Sequence, residues 1–325
     1  MNFPTFAAAL LLVILLPAAA LALFTWRIAR RVEAALPASG SKVDVPGATL
    51  HVREQGSGPA LLMIHGLAGQ MAHYTYGVNQ RLAGEFRVVT VDRPGSGYST
   101  RHPGTAADLS TQAAALAALI DQLQLDRPLV VGHSLGGAVA LTLALEYPER
   151  VAGLALVAPV THVPDGVPEA FKALTIESAW LRKLFAWTLA IPGSIATSKA
   201  VLGQVFGPEP VPRDFATRGG GLLSLRPRQF LSASADLQAL PLGLPQLESR
   251  YEQLRMPVSV LYGRGDRILD WKANGQALVD KVAGARLQLV DGGHMLPITQ
   301  PELTARFIQD AALQALAAAG QQRAG

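Results

Sequence analysis

Short apolar runs alternate with longer helical stretches over most of the chain after residue 43. Seven runs rich in Val, Ile and Leu predict strands, at residues 49–52, 60–64, 87–91, 129–131, 154–157, 258–262 and 286–290. Most are nearly continuous Val, Ile and Leu, as expected of strands that are buried on both faces of a parallel sheet. Ala- and Leu-rich stretches predict helices at residues 109–123, 135–146, 271–282 and 302–318. This alternation predicts an α/β fold with a mostly parallel sheet flanked by helices.

The alternation stops between residues 160 and 253. This stretch has no convincing strand pattern, and it contains several prolines and the triplet Gly219-Gly220-Gly221. It therefore predicts a helical insertion over residues 161–253, which we call the cap. The cap divides the predicted core into residues 43–160 and 254–325.

The N-terminus carries a candidate membrane segment. Residues 6–24 form an unbroken apolar run of 19 residues, long enough as a helix to cross a hydrocarbon core of about 30 Å. Ala20-Leu21-Ala22 matches a signal-peptide cleavage pattern, but no basic residue precedes the run, and Trp26 and Arg27 form an interfacial edge. We predict that residues 1–36 are an uncleaved anchor. The alternative is a cleaved signal peptide and a secreted or periplasmic protein.

Charge bears on both topology and partners. Arg27, Arg30 and Arg31 follow the apolar run and no Lys or Arg precedes it, so the positive-inside rule predicts a C-terminal body in the cytoplasm. The whole chain has a net charge of +4, too small for a clustered phosphate-binding surface, and nucleic acid is not expected as a partner.

Cysteine is absent, which excludes disulfide scaffolds and cysteine nucleophiles. The scattered histidines show no ligand spacing, so we expect neither a metal nor a cofactor.

One motif joins a predicted strand to a predicted helix. In Gly132-His133-Ser134-Leu135-Gly136, the glycines permit the sharp turn of a nucleophile elbow, which presents the serine hydroxyl at the carboxyl edge of the sheet. A serine nucleophile needs a base that is oriented by a third group. His294 follows the last predicted strand, and Asp266 follows the preceding one. We predict a catalytic triad of these three residues.

Other groups complete or compete with this site. Asp270 and Asp291 are rival acids, but we expect Asp270 to cap the next helix and Asp291 to lie too close to the histidine in sequence. The backbone N–H groups of Leu135 and Leu67 are the expected donors of an oxyanion hole. His65 is expected to shape the loop that carries Leu67.

The chain resembles the α/β-hydrolase superfamily over about residues 43–320. The resemblance is carried by five motifs in order, His65-Gly66, Asp92-Arg93-Pro94-Gly95-Ser96-Gly97-Tyr98-Ser99, Gly132-His133-Ser134-Leu135-Gly136-Gly137, Gly263-Arg264-Gly265-Asp266 and Gly293-His294. Haloalkane dehalogenases and soluble epoxide hydrolases in this superfamily have Asp at the nucleophile position, so Ser134 argues against both activities. With its anchor, the chain is most similar to the membrane-anchored monoacylglycerol-lipase and bacterial lipase-esterase branch.

These observations predict a serine hydrolase that cleaves carboxylic esters, lipid-like ones in particular. Perhydrolases, thioesterases, amidases and carbon–carbon bond hydrolases share the triad, and a non-catalytic binding protein is a further alternative.

In the cap, Trp180, Leu184 and Trp187 fall on one face of an apolar stretch. Either this stripe packs the cap against the core, or it lines an acyl pocket or enters a bilayer.

Overall fold

The computed structural model describes the backbone of residues 3–324 and the side-chain surroundings of residue 13 and residues 15–320. The strands are β1 (Ser41–Val45), β2 (Ala48–Gln55), β3 (Ala60–Ile64), β4 (Arg87–Val91), β5 (Thr100–Arg101), β6 (Leu129–His133), β7 (Gly153–Val157), β8 (Val258–Gly263) and β9 (Arg286–Val290).

The α-helices are α1 (Phe3–Ala35), α2 (Ala72–Thr75), α3 (Val78–Leu82), α4 (Leu109–Gln122), α5 (Leu135–Glu146), α6 (Ala179–Trp187), α7 (Ala190–Phe206), α8 (Pro227–Glu248), α9 (Ala277–Lys281), α10 (Leu296–Thr299) and α11 (Pro301–Ala324). Short 3₁₀ turns lie at Pro148–Arg150, Glu169–Leu174, Gly221–Leu225 and Tyr251–Gln253, and a π-helical turn at Lys272–Gln276.

The strands form one mixed sheet in the order β1-β2-β4-β3-β6-β7-β8-β9, with β5 paired to β2. Strands β3, β4 and β6 to β9 are parallel, and β1, β2 and β5 add antiparallel pairings at one edge. The predicted α/β fold with a mostly parallel sheet is confirmed. All the parallel strands therefore end at the same edge, where their following loops meet.

Apolar side chains on the two sheet faces form two separate cores. Leu62 and Ile64 of β3 face a core shared with α4, α5 and α8, while Leu61 and Met63 face a core shared with α3 and α11. Because both faces are covered, the central strands are apolar at most positions, which is why the sequence pattern located them.

The predicted elements differ from the structure where side chains are polar or contacts are distant. Strand β1 was not predicted because its sequence, Ser-Lys-Val-Asp-Val, is mostly exposed and has no apolar run. The single helix predicted at residues 271–282 is wrong in its first part, which is a π-helical turn. There the Asn274 side chain accepts the Thr161 backbone N–H at 3.0 Å, and a Cβ on Gly275 would lie 2.8 Å from the Tyr262 ring.

The described chain between β7 and β8 contains helices and turns and no strand. Helix α6 packs against α8 through the buried Ala186 and through Phe185, whose ring centroid is 5.5 Å from that of Phe230. The opposite face of α6 is open, with Trp180 68% exposed and Leu184 50% exposed. The interpretation in which this stripe packs the cap against the core is therefore wrong.

Helix α1 extends past the apolar run and packs against the cap. Its residues Thr25 and Val32 are buried, and its neighbours are α6 and the turn Gly221–Leu225. The predicted anchor includes residues 6–12 and 14, whose side chains lie outside the described part of the chain. No helix within the described residues has both the length and the apolar character that a membrane crossing requires.

Candidate active site

Ser134 lies on a strained turn between β6 and α5. Its backbone has φ of 55° and ψ of −121°, a region that side-chain-bearing residues rarely adopt. The turn is tight enough that a Cβ on Gly132 would lie 2.5 Å from the Gly136 carbonyl oxygen, and a Cβ on Gly137 would lie 2.5 Å from the Pro159 Cβ. The glycines of the motif therefore allow the close approach of strand and helix that a nucleophile elbow requires.

His294 and Asp266 meet at the same sheet edge. His294 Nδ1 is 2.7 Å from Asp266 Oδ2, and both side chains are buried. The other carboxylate oxygen, Oδ1, accepts the backbone N–H groups of Ile268 at 2.8 Å and Leu269 at 3.0 Å. The carboxylate is thus fixed by its own loop, and it can orient the imidazole so that Nε2 is available as a base.

His133, which precedes the serine, contacts the histidine loop directly. Its Nε2–H donates to the His294 carbonyl oxygen at 2.9 Å, and the two ring centroids are 4.9 Å apart. Burial, followed by the nearby His294, holds the pKa of His133 well below its usual value. A neutral His133 therefore links the loop that carries His294 to the end of β6, beside Ser134. The sequence analysis did not single out this residue, although it lies within the serine motif.

Glu209 of the cap is a second unpredicted contact. Its Oε2 accepts the Gly293 backbone N–H at 3.0 Å and the Thr299 hydroxyl at 2.9 Å, and its Oε1 accepts the Gln300 side-chain N–H at 2.8 Å. The carboxylate thus holds both ends of the loop that contains His294. No sequence signal marks it, since it lies 84 residues before Gly293 in an irregular stretch.

The two rival carboxylates lie elsewhere. Asp270 is exposed, and its Oδ1 accepts two backbone N–H groups at 2.8 Å at the start of the next helical turn. This is the capping role expected from the sequence. Asp291 is also exposed, and its backbone carbonyl accepts the Gln300 side chain. Among the three acids considered, Asp266 is the one in contact with the His294 ring.

The loop after β3 lies against the serine. A Cβ on Gly66 would be 2.9 Å from the Ser134 Cβ, so the following peptide, which carries the Leu67 N–H, is close to the nucleophile. His65 Nδ1–H donates to the Gly66 carbonyl at 2.8 Å, and its Nε2 accepts the Arg93 backbone N–H at 2.9 Å. Burial and the adjacent Arg93 charge hold the pKa of His65 well below its usual value. Neutral His65 therefore shapes this loop.

Leu135 is the first residue of α5, so its N–H is one of the unpaired donors at that helix end. Together with Leu67 it supplies two candidate donors on either side of Ser134. Within the part of the chain that the structure describes, no group of three or more His, Asp or Glu side chains is arranged to hold a metal ion. At this sheet edge the structure brings together the serine, the histidine and the backbone amides.

Comparison with known proteins places this chain in a family. The family model described as alpha/beta hydrolase fold matches residues 59–301. Pimeloyl-(acyl-carrier protein) methyl ester esterase of Nitrosomonas europaea is 34% identical over 221 residues, which cover 68% of this chain and 82% of that protein. A 2-hydroxy-6-oxo-6-phenylhexa-2,4-dienoate hydrolase of Burkholderia cepacia is 27% identical over 74% of this chain and 82% of its own length.

The fold is also similar to that of a solved structure, a thermophilic esterase from Thermogutta terrifontis. It superposes with a TM-score of 0.67 at 25% identity, and the match covers 85% of this chain and 99% of that one. The likeness therefore extends over nearly the whole body after the N-terminal helix.

Proposed function

The chain belongs to the α/β-hydrolase fold family, and we propose that it is a serine hydrolase that cleaves carboxylic esters through an acyl-enzyme on Ser134. The observation that carries the proposal is the 2.7 Å contact between Asp266 and His294 beside the strained turn of the serine. The esterase relative from Nitrosomonas europaea supports this reaction class.

The proposed reaction has two half-cycles, and in each of them His294 acts first as a base and then as an acid. His294 Nε2 takes the Ser134 hydroxyl proton while Oγ forms a bond to the ester carbonyl carbon, whose oxygen becomes an oxyanion. The N–H groups of Leu67 and Leu135 stabilise that charge. The C–O bond to the alcohol then breaks, and the alcohol leaves with the proton from His294. Water repeats the sequence on the acyl-enzyme, and it releases the acid and the free serine.

A fluorophosphonate probe tests the assignment of the nucleophile. We expect labelling of the wild-type protein at one peptide, the one that contains Ser134, and no labelling of Ser134→Ala. The control is Ser224→Ala, which removes an exposed hydroxyl of the cap and should leave labelling and turnover unchanged. An S134A protein that keeps most of its esterase activity would refute the proposal.

A finer part of the proposal concerns the substrate and the membrane. We propose that the esters are lipid-like and that residues 1–36 anchor the enzyme in a bilayer, with the body in the cytoplasm. Exposed apolar side chains on α1 and α6, two helices that contact each other, support this, among them Phe24, Trp26, Trp180 and Leu184. Tryptophans beside leucines are typical of surfaces that lie in a membrane interface.

Topology and cleavage can be tested separately. A reporter that is active only outside the cytoplasm, fused after Gly325, should stay silent, and alkaline extraction should leave the protein in the membrane fraction. N-terminal sequencing that starts at Leu23 would instead establish cleavage and contradict the anchor. Turnover of p-nitrophenyl esters of graded chain length, beside monoacylglycerols, defines the acyl preference.

A second candidate is hydrolysis of a carbon–carbon bond. It is favoured by the 27% identity to the dienoate hydrolase of Burkholderia cepacia over 82% of that protein. The two functions differ in a direct assay of the purified protein with 2-hydroxy-6-oxo-6-phenylhexa-2,4-dienoate, followed by loss of its absorbance. Turnover of this compound that exceeds turnover of every ester would favour the second candidate.

A further inference from the structure

Helix α8 of the cap carries two buried polar side chains that reach into the core. Gln229 and Asp236 are each 2% exposed, and their spacing of seven residues places them on one face of the helix. Neither was predicted as a site residue. Their contacts are with the loops that follow β3 and β4 and with Arg101 of β5. The loop after β3 lies against Ser134.

Gln229 joins those two loops. Its side-chain Nε2–H donates to the Gly69 carbonyl at 3.0 Å, and its Oε1 accepts the Gly97 backbone N–H at 3.0 Å. Both ends of the amide are therefore satisfied, in one orientation only. Through this contact the cap fixes the carboxyl-terminal end of the loop 65–69.

Asp236 acts on the other end of the same loop through Arg93. Its Oδ2 accepts Arg93 Nη1–H at 2.8 Å, and its Oδ1 accepts Arg101 Nη2–H at 2.5 Å. Arg93, which is fully buried, donates Nε–H and Nη2–H to the carbonyls of His65 and Gly66, each at 3.0 Å. A buried guanidinium needs a compensating charge, and the cap supplies it.

We propose that Gln229 and Asp236 are positioning residues of the oxyanion hole, so that the cap helix α8 sets the orientation of the Leu67 N–H. The carbonyls of His65, Gly66 and Gly69 are held on both sides of that peptide, directly by Gln229 and through Arg93 by Asp236. An oxyanion donor acts only when its direction is fixed before charge develops. This inference rests on the proposed function, in which the Leu67 N–H binds the oxyanion.

The contacts of α8 also limit how the cap can move. Helix α8 cannot rotate away from the core without breaking the contacts that shape the oxyanion loop. Any movement of the cap that admits substrate must therefore leave α8 in place.

The test compares Gln229→Leu and Asp236→Asn with Gln238→Ala. Gln238 is a matched control on the same helix, because its side-chain contacts are with Ile176 and Ser234 inside the cap. We expect a fall in kcat of about 10- to 100-fold with little change in KM for the first two variants. The affinity of a trifluoromethyl ketone, which forms a tetrahedral adduct on the serine, should fall by the same factor as kcat/KM.

If Gln229 and Asp236 only stabilised the fold, their replacement would lower the melting temperature, but kcat/KM and the inhibitor affinity would not fall by the same factor. If Gln229→Leu stays folded and keeps the kcat and the inhibitor affinity of the control, the proposal is overturned. Should Asp236→Asn fail to fold, the uncharged Gln229→Leu variant decides the question alone. A wild-type protein with no esterase activity would refute the proposed function and this inference together, whereas unaltered variants of an active enzyme refute this inference only.

Discussion

At the scale of single residues, the position of His294 depends on two carboxylates, one from the core and one from the cap. Asp266 uses one oxygen for its own loop and the other for His294. Glu209 uses its oxygens to hold the same histidine loop from the cap side. The imidazole is therefore restrained by groups from the core and from the insertion, which lie far apart along the chain.

The Asp266 contact leads to a prediction. In Asp266→Asn the amide can donate to His294 Nδ1 and stabilise the wrong tautomer, so we expect kcat to fall by about 10³- to 10⁴-fold with a small change in KM. Steady-state kinetics on a p-nitrophenyl ester provides the measurement. Asp270→Asn, which changes an exposed capping residue, is the control, and an equal loss in that variant would contradict the assignment.

Residues at the site differ in how far the sequence could locate them. Ser134 has a motif, and Asp266 and His294 follow from strand order, because the ends of parallel strands share one edge. Glu209 and Gln229 act through backbone groups of distant loops, and such contacts leave no local pattern. Tertiary packing alone brings them to the site, so they emerge only from the structure.

At the scale of elements, the sequence likewise locates some strands and misses others. The limits of β3 and β4 match the apolar runs because burial on both faces demands apolar side chains there. Strand β9 also matches its predicted limits, although its side chains are exposed or half-buried. The two-residue strand β5 and the polar strand β1 depend on pairing with β2, which the sequence pattern does not contain. The π-helical turn at Lys272–Gln276 depends on the distant partners of Asn274 and Gly275.

Helix α6 gives an element-scale prediction. Trp180 and Trp187 are exposed, so replacing both by Ala should change the melting temperature little. If their face contacts lipid or a long acyl chain, turnover of long-chain esters in vesicles should fall several-fold, while turnover of acetyl esters is retained. The control is Leu242→Ala, an equally exposed apolar residue on α8. Equal losses on both classes of ester would contradict this role.

At the scale of the whole molecule, buried histidines make stability depend on pH. Burial lowers the pKa of His73 to about 4, and it holds the pKa values of His65 and His133 well below the usual 6.5. Below about pH 6.5 the unfolded chain binds protons that the folded protein does not bind. The free energy of unfolding should therefore fall as the pH decreases from 7 towards 4.

His73 provides the measurable case. We expect the stability lost between pH 7 and pH 5 to be about 2 kcal/mol smaller for His73→Asn than for the wild type. About 1.5 pH units of this interval lie below the unfolded-state pKa, and each is worth about 1.4 kcal/mol. Urea unfolding at the two pH values measures the difference. Exposed His102→Asn is the matched control for the removal of one histidine. Parallel pH curves for wild type and His73→Asn would contradict this account.

The contact between α1 and the cap has a practical consequence for anyone who shortens this protein to purify it. Glu33 approaches Arg226 to 3.9 Å, and the Leu36 carbonyl accepts the Tyr98 hydroxyl. Arg226 in turn donates to the Gly97 carbonyl at 2.6 Å, next to the position where Gln229 binds. A fragment that begins at Ser41 would uncover this junction at the start of α8, and its rate constants would describe an altered enzyme. Kinetics should therefore be measured on a protein that keeps α1.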